Sequence, residues 1–467
     1  MNREEVPSSG AADASRMSGT EIRAMISLGS LFGLRMLGLF LILPVFAVHA
    51  LKIRGGENHT LIGIALGAYG LTQGILQIPF GMASDRYGRK RTIVVGLILF
   101  AIGSFVAAAA TDIYTVIAGR TIQGLGAIAA PVIAFAADVT REEHRTKAMA
   151  AIGASIGLAF ATSMVAAPAL YRVIGMDGIF ALTGILSIVA IYVTLRVVPP
   201  EPTEIRDMSR RVQPGALGRV LRDGELLRLN FGIFTVHTVQ MSIFVVVPVT
   251  LVRYGGLPLV DHWKVYLPVV LLSFVFMIPP ILYAERHGRI KTVFLAAIAA
   301  MVAIQAGFAL GLHDFHAVVA LLVAFFVAFN ILEATLPSIV TRISPPSTRG
   351  TALGVYNTTQ ALGLFAGGAL GGWIAQHFGD RSVFVFGIAL VALWFLIAAG
   401  MRPPGKVQSR TFSLGEVADP VALREQLIRL RGVRDAVVVP EKGVAHLTFY
   451  ADLFDERAAT KLIGGKA

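Results

Sequence analysis

Four ionisable side chains interrupt long apolar stretches of this sequence: Arg35, Arg120, His237 and Glu333. A charge at the centre of a bilayer costs at least about 2.5–3.5 kcal/mol, so each of them requires a partner or a function there. Glu333 is a carboxylate deep in such a stretch, and His237 titrates near neutrality. The chemistry open to these groups is therefore proton uptake and release.

Neutral polar side chains accompany the ionisable residues at helical spacing. Residues three or four positions apart lie on the same face of a helix, and we expect these faces to line a central substrate cavity. The cavity candidates are Tyr69, Gln73 and Gln77 in one stretch, Gln123 beside Arg120, Gln240 beside His237, Asn330 beside Glu333, and the pair Asn357 and Gln360.

Glu333 is the first candidate for a proton carrier, because the proton affinity of a carboxyl group depends on burial and on neighbouring charges. His237 is the second candidate. Arg120 keeps its proton, so its role in proton coupling would be electrostatic. The alternative is a buried polar network that only fixes helix packing, and the sequence leaves both interpretations open.

The elements that position these residues are long apolar segments. The chain has 467 residues, of which 55% are hydrophobic and only 15% are charged, whereas soluble domains carry about 25% charged residues. Each apolar segment is long enough to cross about 30 Å of hydrocarbon as a helix. Twelve segments are predicted, at 24–50, 61–82, 92–110, 113–137, 148–173, 178–198, 229–252, 264–284, 292–312, 316–340, 350–376 and 382–400.

The basic residues predict an orientation. Most of the 41 Lys and Arg residues fall in alternate connections and in the two termini, which is the bias expected for the cytoplasmic side. The net charge of +12 is therefore a topology signal, and we expect no nucleic-acid partner. The prediction is a multi-pass protein of the bacterial inner membrane with both termini in the cytoplasm. The polar residues 1–22 lack the apolar core of a signal peptide.

Two connections repeat at an offset of 200 residues. Residues 79–92 and 279–292 share Pro, an acid, Arg, Gly, Arg and Thr at matching positions. This repeat predicts two six-helix halves, 23–198 and 229–400, with a substrate site near the midplane between them. Residues 199–228 are the connecting loop, and part of it forms either an amphipathic helix on the inner leaflet or an ordinary linker.

The first of these connections resembles motif A of the major facilitator superfamily, through Gly81, Asp85, Arg86, Gly88 and Arg89. The stretch 117–126 resembles motif B of the twelve-helix drug:proton antiporters of that superfamily. A separate antiporter motif in the fifth segment would have Gly-Pro, where this chain has Ala167-Pro168. The pattern around Arg35 and the stretch 330–337 resemble the YajR branch. This resemblance implies an all-α membrane fold and places the motif B arginine, Arg120, in proton coupling.

The resemblance also implies a gating latch at one end of the molecule. Asp85 would face the start of the segment near Arg349 in an outward-open state, and Arg89 would pair with Asp138. The alternative is that these charges only enforce topology. The corresponding residues of the second repeat are Glu285, Arg286, Gly288 and Arg289.

The tail, residues 401–467, has the composition of a water-soluble domain. Strands are predicted at 411–414, 436–439 and 444–450, with helices at 420–431 and 454–463. This order resembles a small α+β ferredoxin-like domain whose final strand is missing or very short. Its role is either regulatory, through an unknown ligand or partner, or inert docking.

The leading functional hypothesis is a secondary active transporter that exports a small molecule in exchange for protons. The alternatives are a proton symporter and a membrane sensor whose transport core gates the tail domain. We expect no enzyme activity, because the sequence has no catalytic constellation and no ATP-binding loop. We also expect no metal and no cofactor. The expected partners are a small-molecule substrate, protons and the lipid bilayer, and we expect a monomer.

Overall fold

The computed structural model describes residues 17–141, 144–201, 215–344, 348–401, 407–414, 419–440, 443–450 and 454–463. Residues 1–16 of the predicted N-terminal tail and residues 202–214 of the predicted connecting loop therefore lie outside the described residues. The helices that precede the tail are α1 Gly19–Phe40, α2 Leu43–Ala50, α3 His59–Tyr87, α4 Arg89–Ala108, α5 Ile113–Leu125, α6 Ala129–Asp138, α7 Arg145–Arg196, α8 Ala216–Arg222, α9 Gly224–Arg253, α10 Trp263–His287, α11 Ile290–Gly311, α12 Phe315–Ile343, α13 Arg349–Phe378 and α14 Asp380–Ala399.

Within the described residues, ten helical stretches are long and apolar enough to cross a membrane. Helix α7 covers two of the predicted segments, which meet at Gly175, where φ is +68° and the backbone is not helical. Helix α13 is not among the ten. Its glycines and its Thr, Asn and Gln side chains give it a low hydropathy. The chain is thus a mostly helical, multi-pass membrane protein.

The predicted segment 113–137 is not one continuous helix, because it breaks between α5 and α6. Pro131 is the third residue of α6 and has no N–H to bond the carbonyl four residues earlier. At the break, a Cβ on Gly126 would lie 2.2 Å from the Gly96 carbonyl oxygen, so only glycine permits this approach. The carbonyl of Gly126 at the break accepts from the N–H of Ile128 at 2.9 Å and can accept a second hydrogen bond.

Helices α3 and α13 pack closely along one part of their length, which we call the glycine seam. A Cβ on Gly63 would lie 1.9 Å from the carbonyl oxygen of Gly368, and the backbone N–H of His59 donates to Oε1 of Gln376 at 2.7 Å. At the other end of α13, a Cβ on Gly354 would meet no atom within 4 Å among the described residues. The close contact between the two helices therefore runs from the His59 end as far as Gly74 and Thr358, where a Cβ on Gly74 would lie 3.3 Å from the Thr358 carbonyl oxygen.

Cationic side chains cap the last helix of the first half of the chain. Arg23 donates from Nε to the carbonyl of Val197 at 2.8 Å, and Lys90 donates from Nζ to the carbonyl of Val198 at 2.6 Å. Carbonyls at a helix C-terminus lack partners within the helix and carry partial negative charge. These two bonds fasten the end of α7 to the starts of α1 and α4.

The second half repeats this arrangement with its own residues. Arg228 donates to the carbonyl of Gly400 at 2.6 Å, and Lys291 donates to the carbonyl of Ala399 at 3.0 Å. The end of α14 is thus fastened to the starts of α9 and α11. Four of the basic residues that predicted topology therefore also hold helices together.

The tail forms an antiparallel sheet. Its elements are β1 Val407–Ser413, α15 Pro420–Arg429, β2 Val433–Val439, β3 Val444–Tyr450 and α16 Glu456–Ile463. The strand order is β1-β3-β2. Leu447 of the central strand β3 lies opposite Arg410 of β1 and opposite Ala436 of β2. Leu427 of α15 and Ala459 of α16 pack with Leu447 in one apolar core. The order of elements is the predicted one, although β1 begins four residues earlier than predicted.

Candidate functional site

One polar cluster joins α9, α12 and α13. The Gln360 amide nitrogen Nε2 lies 2.9 Å from Nε2 of His237 and donates to Oε1 of Glu333 at 3.2 Å. Nδ1 of His237 lies 3.2 Å from the carbonyl oxygen of Ile233. Because the carbonyl only accepts, Nδ1 carries the hydrogen and Nε2 accepts from Gln360. The hydrogen-bond network thus assigns a neutral His237.

Glu333 retains an unused oxygen. Its Oε2 is buried and has no hydrogen-bond partner in the described residues, although the side chain as a whole is 36% exposed. Nε2 of His237 lies 3.9 Å from this oxygen, which is beyond hydrogen-bond length. A buried carboxylate oxygen without a donor is costly when charged, and protonation of the carboxyl removes that cost.

An aromatic cluster lies beside this polar cluster and connects the two halves of the chain. The ring of Phe329 lies 5.9 Å from the ring of His237 and 6.5 Å from the ring of Phe160. Phe160 belongs to α7 and also contacts Phe326 of α12 at 5.7 Å. Movement of one half against the other must therefore change the packing next to Glu333.

A second polar cluster occupies the first half. Nη2 of Arg35 donates to the hydroxyl of Tyr69 at 2.5 Å and to the carbonyl of Gly126 at 3.1 Å, at the break between α5 and α6. Nε and Nη1 of Arg35 are buried without a hydrogen-bond partner in the part of the chain that is described. Arg35 lies over the rings of Tyr69 and Phe100, with 5.6 Å from Cζ to each centroid.

Arg120 lies in the same half, fully buried. It donates to Oε1 of Gln123 at 2.8 Å and to the carbonyls of Ala65 and Leu66 at 3.3 and 3.2 Å. Gln123 in turn donates to Ser104 at 2.8 Å. Arg120 thus ties α5 to α3 and α4. The structure brings His237, Glu333 and Gln360 together. It places Arg35 and Arg120 elsewhere, both against the ring of Tyr69, without an acidic partner among the described residues.

The other predicted cavity residues are not bonded to Glu333. Asn330 donates to Ser273 of α10 at 3.1 Å, and Gln240 is buried in α9. Gln77 is buried with neither amide atom hydrogen-bonded, and Oε1 of Gln73 is likewise without a partner within the described ranges. Asn357 is half-buried in α13. Buried amides without partners are rare in proteins, and a bound ligand or water would satisfy them.

Arg89 forms the centre of the motif A connection. It donates from Nε to Asp138 at 2.8 Å and from Nη1 to the hydroxyl of Ser84 at 2.6 Å, and it also contacts Asp85. Gly88 has a φ of +101° and allows the turn between α3 and α4, so that α4 begins at Arg89. Asp85 contacts Arg89 rather than the start of α13. Arg86 is exposed, and the gating role of these residues stays a prediction.

The second repeat does not build the same contacts. Gly288 again has a positive φ, +65°, but Glu285, Arg286 and Arg289 are exposed. Arg289 donates to the hydroxyl of Tyr283 at 3.2 Å. The position 200 residues after Asp138 holds Ser338, which offers no carboxylate. The two connections therefore match in sequence and differ in electrostatics.

An ion pair between the buried Glu21 and the partly exposed Arg141 was missed by sequence reasoning. Glu21 accepts from Nε of Arg141 at 3.1 Å, from its Nη2 at 3.0 Å and from its backbone N–H at 2.9 Å. Glu21 also accepts from the backbone N–H of Ser18 in a capping box. The pattern Ser18-x-x-Glu21 before an apolar run was the available signal. This pair fastens the start of α1 to the loop after α6.

These helices and their polar clusters define a membrane transporter fold. The sequence model of the Major Facilitator Superfamily matches residues 28–284 and 262–438, and the chain belongs to that family. The resemblance to this superfamily is thus confirmed. The matched relatives are named as transporters, which also confirms that the chain is not an enzyme.

Within the superfamily the chain falls in the YajR branch. It is 41% identical to the inner membrane transport protein YajR of Escherichia coli strain K12 over 433 residues, which cover 92% of this chain and 95% of the relative. It is 26% identical to the multidrug resistance protein MdtH of Aeromonas hydrophila over 76% of this chain and 88% of that relative. The chain is a multi-pass inner-membrane protein.

A solved structure supports the fold independently. The inward-facing, occupied crystal structure of a bacterial homolog to the human lysosomal transporter Spinster aligns with a TM-score of 0.68 at 13% identity. The alignment covers 83% of this chain and 98% of that structure.

Proposed function

We propose that this protein is a proton-coupled secondary transporter that exports a small molecule by alternating access. The observation that carries the proposal is the His237–Gln360–Glu333 cluster, which places an incompletely bonded carboxylate beside the aromatic contacts between the halves. A group whose surroundings change with the position of the halves can bind a proton in one state and release it in the other. MdtH, by its name, concerns multidrug resistance, which supports the direction of export.

We propose twelve membrane crossings, with α7 supplying two and α13 one. The halves are 23–198 and 229–400, and residues 199–228 connect them. The end that carries Arg89, Arg141, Arg228 and Lys291 faces the cytoplasm, in line with the bias of basic residues. The tail, 401–467, is a cytoplasmic ferredoxin-like domain, which the β1-β3-β2 order supports.

In this orientation the structure corresponds to a state closed toward the outside. The glycine seam and the bond between His59 and Gln376 join the halves at the outer end. Opening outward requires the seam to separate and the start of α13 to approach α3. Asp85 would then meet the positive end of the α13 dipole near Arg349, as motif A predicts.

Exchange follows from competition at Glu333. A proton that arrives from outside neutralises the carboxyl group while the cavity is open outward. When the halves open inward, departure of that proton restores a charge that a bound substrate or water must satisfy. Arg35 and Arg120 contribute by holding the helices of the first half in one arrangement and by their positive potential.

The test uses purified protein in proteoliposomes with an imposed pH gradient, after a thermal-shift screen has supplied a ligand. The wild-type protein is expected to move this ligand in the direction opposite to proton flow. The variant Glu333→Gln is expected to bind the ligand without coupled transport. Glu57→Gln, an exposed carboxylate in the loop before α3, is the matched control and should transport normally.

The outcome separates the alternatives. Ligand movement together with protons indicates symport. Binding without movement by the wild type indicates a sensor. Transport by Glu333→Gln at the wild-type rate would show that Glu333 is not the proton carrier.

A further inference from the structure

A cavity of about 400 Å³ lies at the His59 end of the molecule, away from the Glu333 cluster. The first residue of α3 contributes one wall, and the ends of α9, α11, α13 and α14 contribute the others. Residues from both halves therefore line it. The charged and titratable lining residues are His59, Arg253, His313, Asp380 and Arg381.

The two arginines of this cavity are both exposed to solvent. Neither Arg253 nor Arg381 forms an ion pair within 4.0 Å in the part of the chain that the structure describes. Asp380 is the first residue of α14, where a carboxylate interacts favourably with the helix dipole. With the histidines neutral, the two arginines and this one carboxylate leave the cavity lining with a formal charge of +1.

Contacts between rings organise the wall that carries Arg253. The guanidinium of Arg253 lies 5.6 Å from the ring centroid of Tyr254, and that ring lies 4.3 Å from the ring of His313. A guanidinium supported on an aromatic face is pre-oriented, so it loses less freedom when it binds a planar or tetrahedral anion.

We propose that this cavity binds anionic oxygens, of a phosphate or a carboxylate, between Arg253 and Arg381. Guanidinium groups bind such oxygens with paired, charge-assisted hydrogen bonds. Leu310 at the rim is 79% exposed, and Trp373 and Phe378 of the neighbouring helix end are exposed as well. Exposed apolar and aromatic side chains at a helix end are typical of the headgroup level of a bilayer. The anion therefore comes either from an acidic phospholipid or from solution.

Occupancy of the cavity favours the state that is closed at this end. The cavity needs His59 from the first half beside residues of the second, and the bond from His59 to Gln376 holds these walls together. An anion that binds only when both walls are present shifts the equilibrium toward that state by its differential affinity. Closure at the His59 end should reciprocally raise affinity for the anion.

The experiment measures thermal stability of the full-length protein in nanodiscs with two probes. The first compares phosphatidylglycerol with phosphatidylcholine bilayers, and the second titrates inorganic phosphate in phosphatidylcholine alone. A rise in melting temperature in the first arm only assigns a lipid headgroup, whereas a rise in the second arm assigns a soluble anion. No rise in either arm overturns the proposal.

Variants locate the effect. Arg253→Gln with Arg381→Gln is expected to weaken the anion effect at least about tenfold, whereas Arg253→Lys with Arg381→Lys should retain most of it. Arg172→Gln removes an exposed arginine outside the cavity and should behave as wild type. An unchanged anion effect in the double glutamine variant, or an equal loss in Arg172→Gln, contradicts the proposed site.

A distance measurement tests the conformational consequence. The chain has no cysteine, so spin labels at Glu57 and His377 can be introduced without background. The anion should increase the short-distance population in wild type and leave the double glutamine variant unchanged. A longer distance on anion binding would overturn the link to closure.

Discussion

His237 and Glu333 face each other across 3.9 Å without a direct hydrogen bond, and the amide of Gln360 bridges them. The three side chains come from α9, α12 and α13, so their arrangement depends on how these helices pack. Gln360 can satisfy a neutral histidine and one carboxylate oxygen at the same time. The second oxygen of Glu333 is left for a proton, a substrate or water.

Removing the bridge should damage both stability and transport. Gln360→Leu leaves Nε2 of His237 and Oε1 of Glu333 without a donor, at a cost of about 1–3 kcal/mol for each buried polar group. We expect a lower melting temperature and coupled flux reduced at least tenfold. Thr359→Val is the control, because within the described residues the Thr359 hydroxyl bonds to the carbonyl of Val355 on its own helix. Equal effects of the two variants would assign Gln360 a packing role alone.

Adding one methyl group to the glycine seam should force the outer end apart. A Cβ at Gly368 would lie 2.3 Å from the carbonyl oxygen of Gly63, so Gly368→Ala cannot keep the present packing. We expect a larger distance between spin labels at Glu57 and His377 and a population shifted toward outward-open. Gly354→Ala on the same helix meets no neighbour and should leave the distance unchanged, apart from a small gain in helix stability.

The two copies of the repeated connection should respond differently to the same substitution. Arg89→Gln removes charge-assisted bonds to Asp138 and Asp85, with an expected loss of about 1.5–3 kcal/mol. Arg289→Gln removes an exposed side chain and should stay within about 0.5 kcal/mol of wild type. Equilibrium unfolding in mild detergent measures both. Similar losses of unfolding free energy in the two variants would mean that both copies of the connection stabilise the fold equally.

The cationic caps should contribute modestly but measurably. Lys90→Met and Lys291→Met each remove one donor from the carbonyls at the end of α7 or α14, which we expect to cost about 0.3–1 kcal/mol. Arg91→Met, next to Lys90 but exposed, is the control. Protease sensitivity of the helix ends would report local fraying, and an Arg91→Met variant that frays equally would argue against specific capping.

Much of the architecture could be predicted from the sequence, because apolar length and basic asymmetry are properties of single segments. The repeat at an offset of 200 residues and the spacing of residues from Gly81 to Arg89 identify the family. The contact between Arg89 and Asp138 was implied by the family motif. Each of these signals lies within one segment or one connection of fixed length, so it can be read without knowledge of the tertiary structure.

The arrangement of the polar residues was less accessible. Shared helix faces suggested one central cavity, but a helix face does not reveal which neighbour it meets. Arg35 bonds to Gly126 because the helix breaks there and leaves that carbonyl with a bond to the nearby Ile128 N–H and room for a second donor. Neither the break nor its partner follows from periodicity. The glycines of α13 signalled close packing, but only the tertiary structure assigns them to α3.

The capping bonds at the ends of α7 and α14 have a consequence for how the chain is made. Their donors, Arg23 and Lys90 in one case and Arg228 and Lys291 in the other, precede the acceptor carbonyls in the sequence. During synthesis the capping bonds of each half therefore form only after the final helix of that half has been made. Once that helix has been inserted, the first half can close on itself while the ribosome is still translating the second.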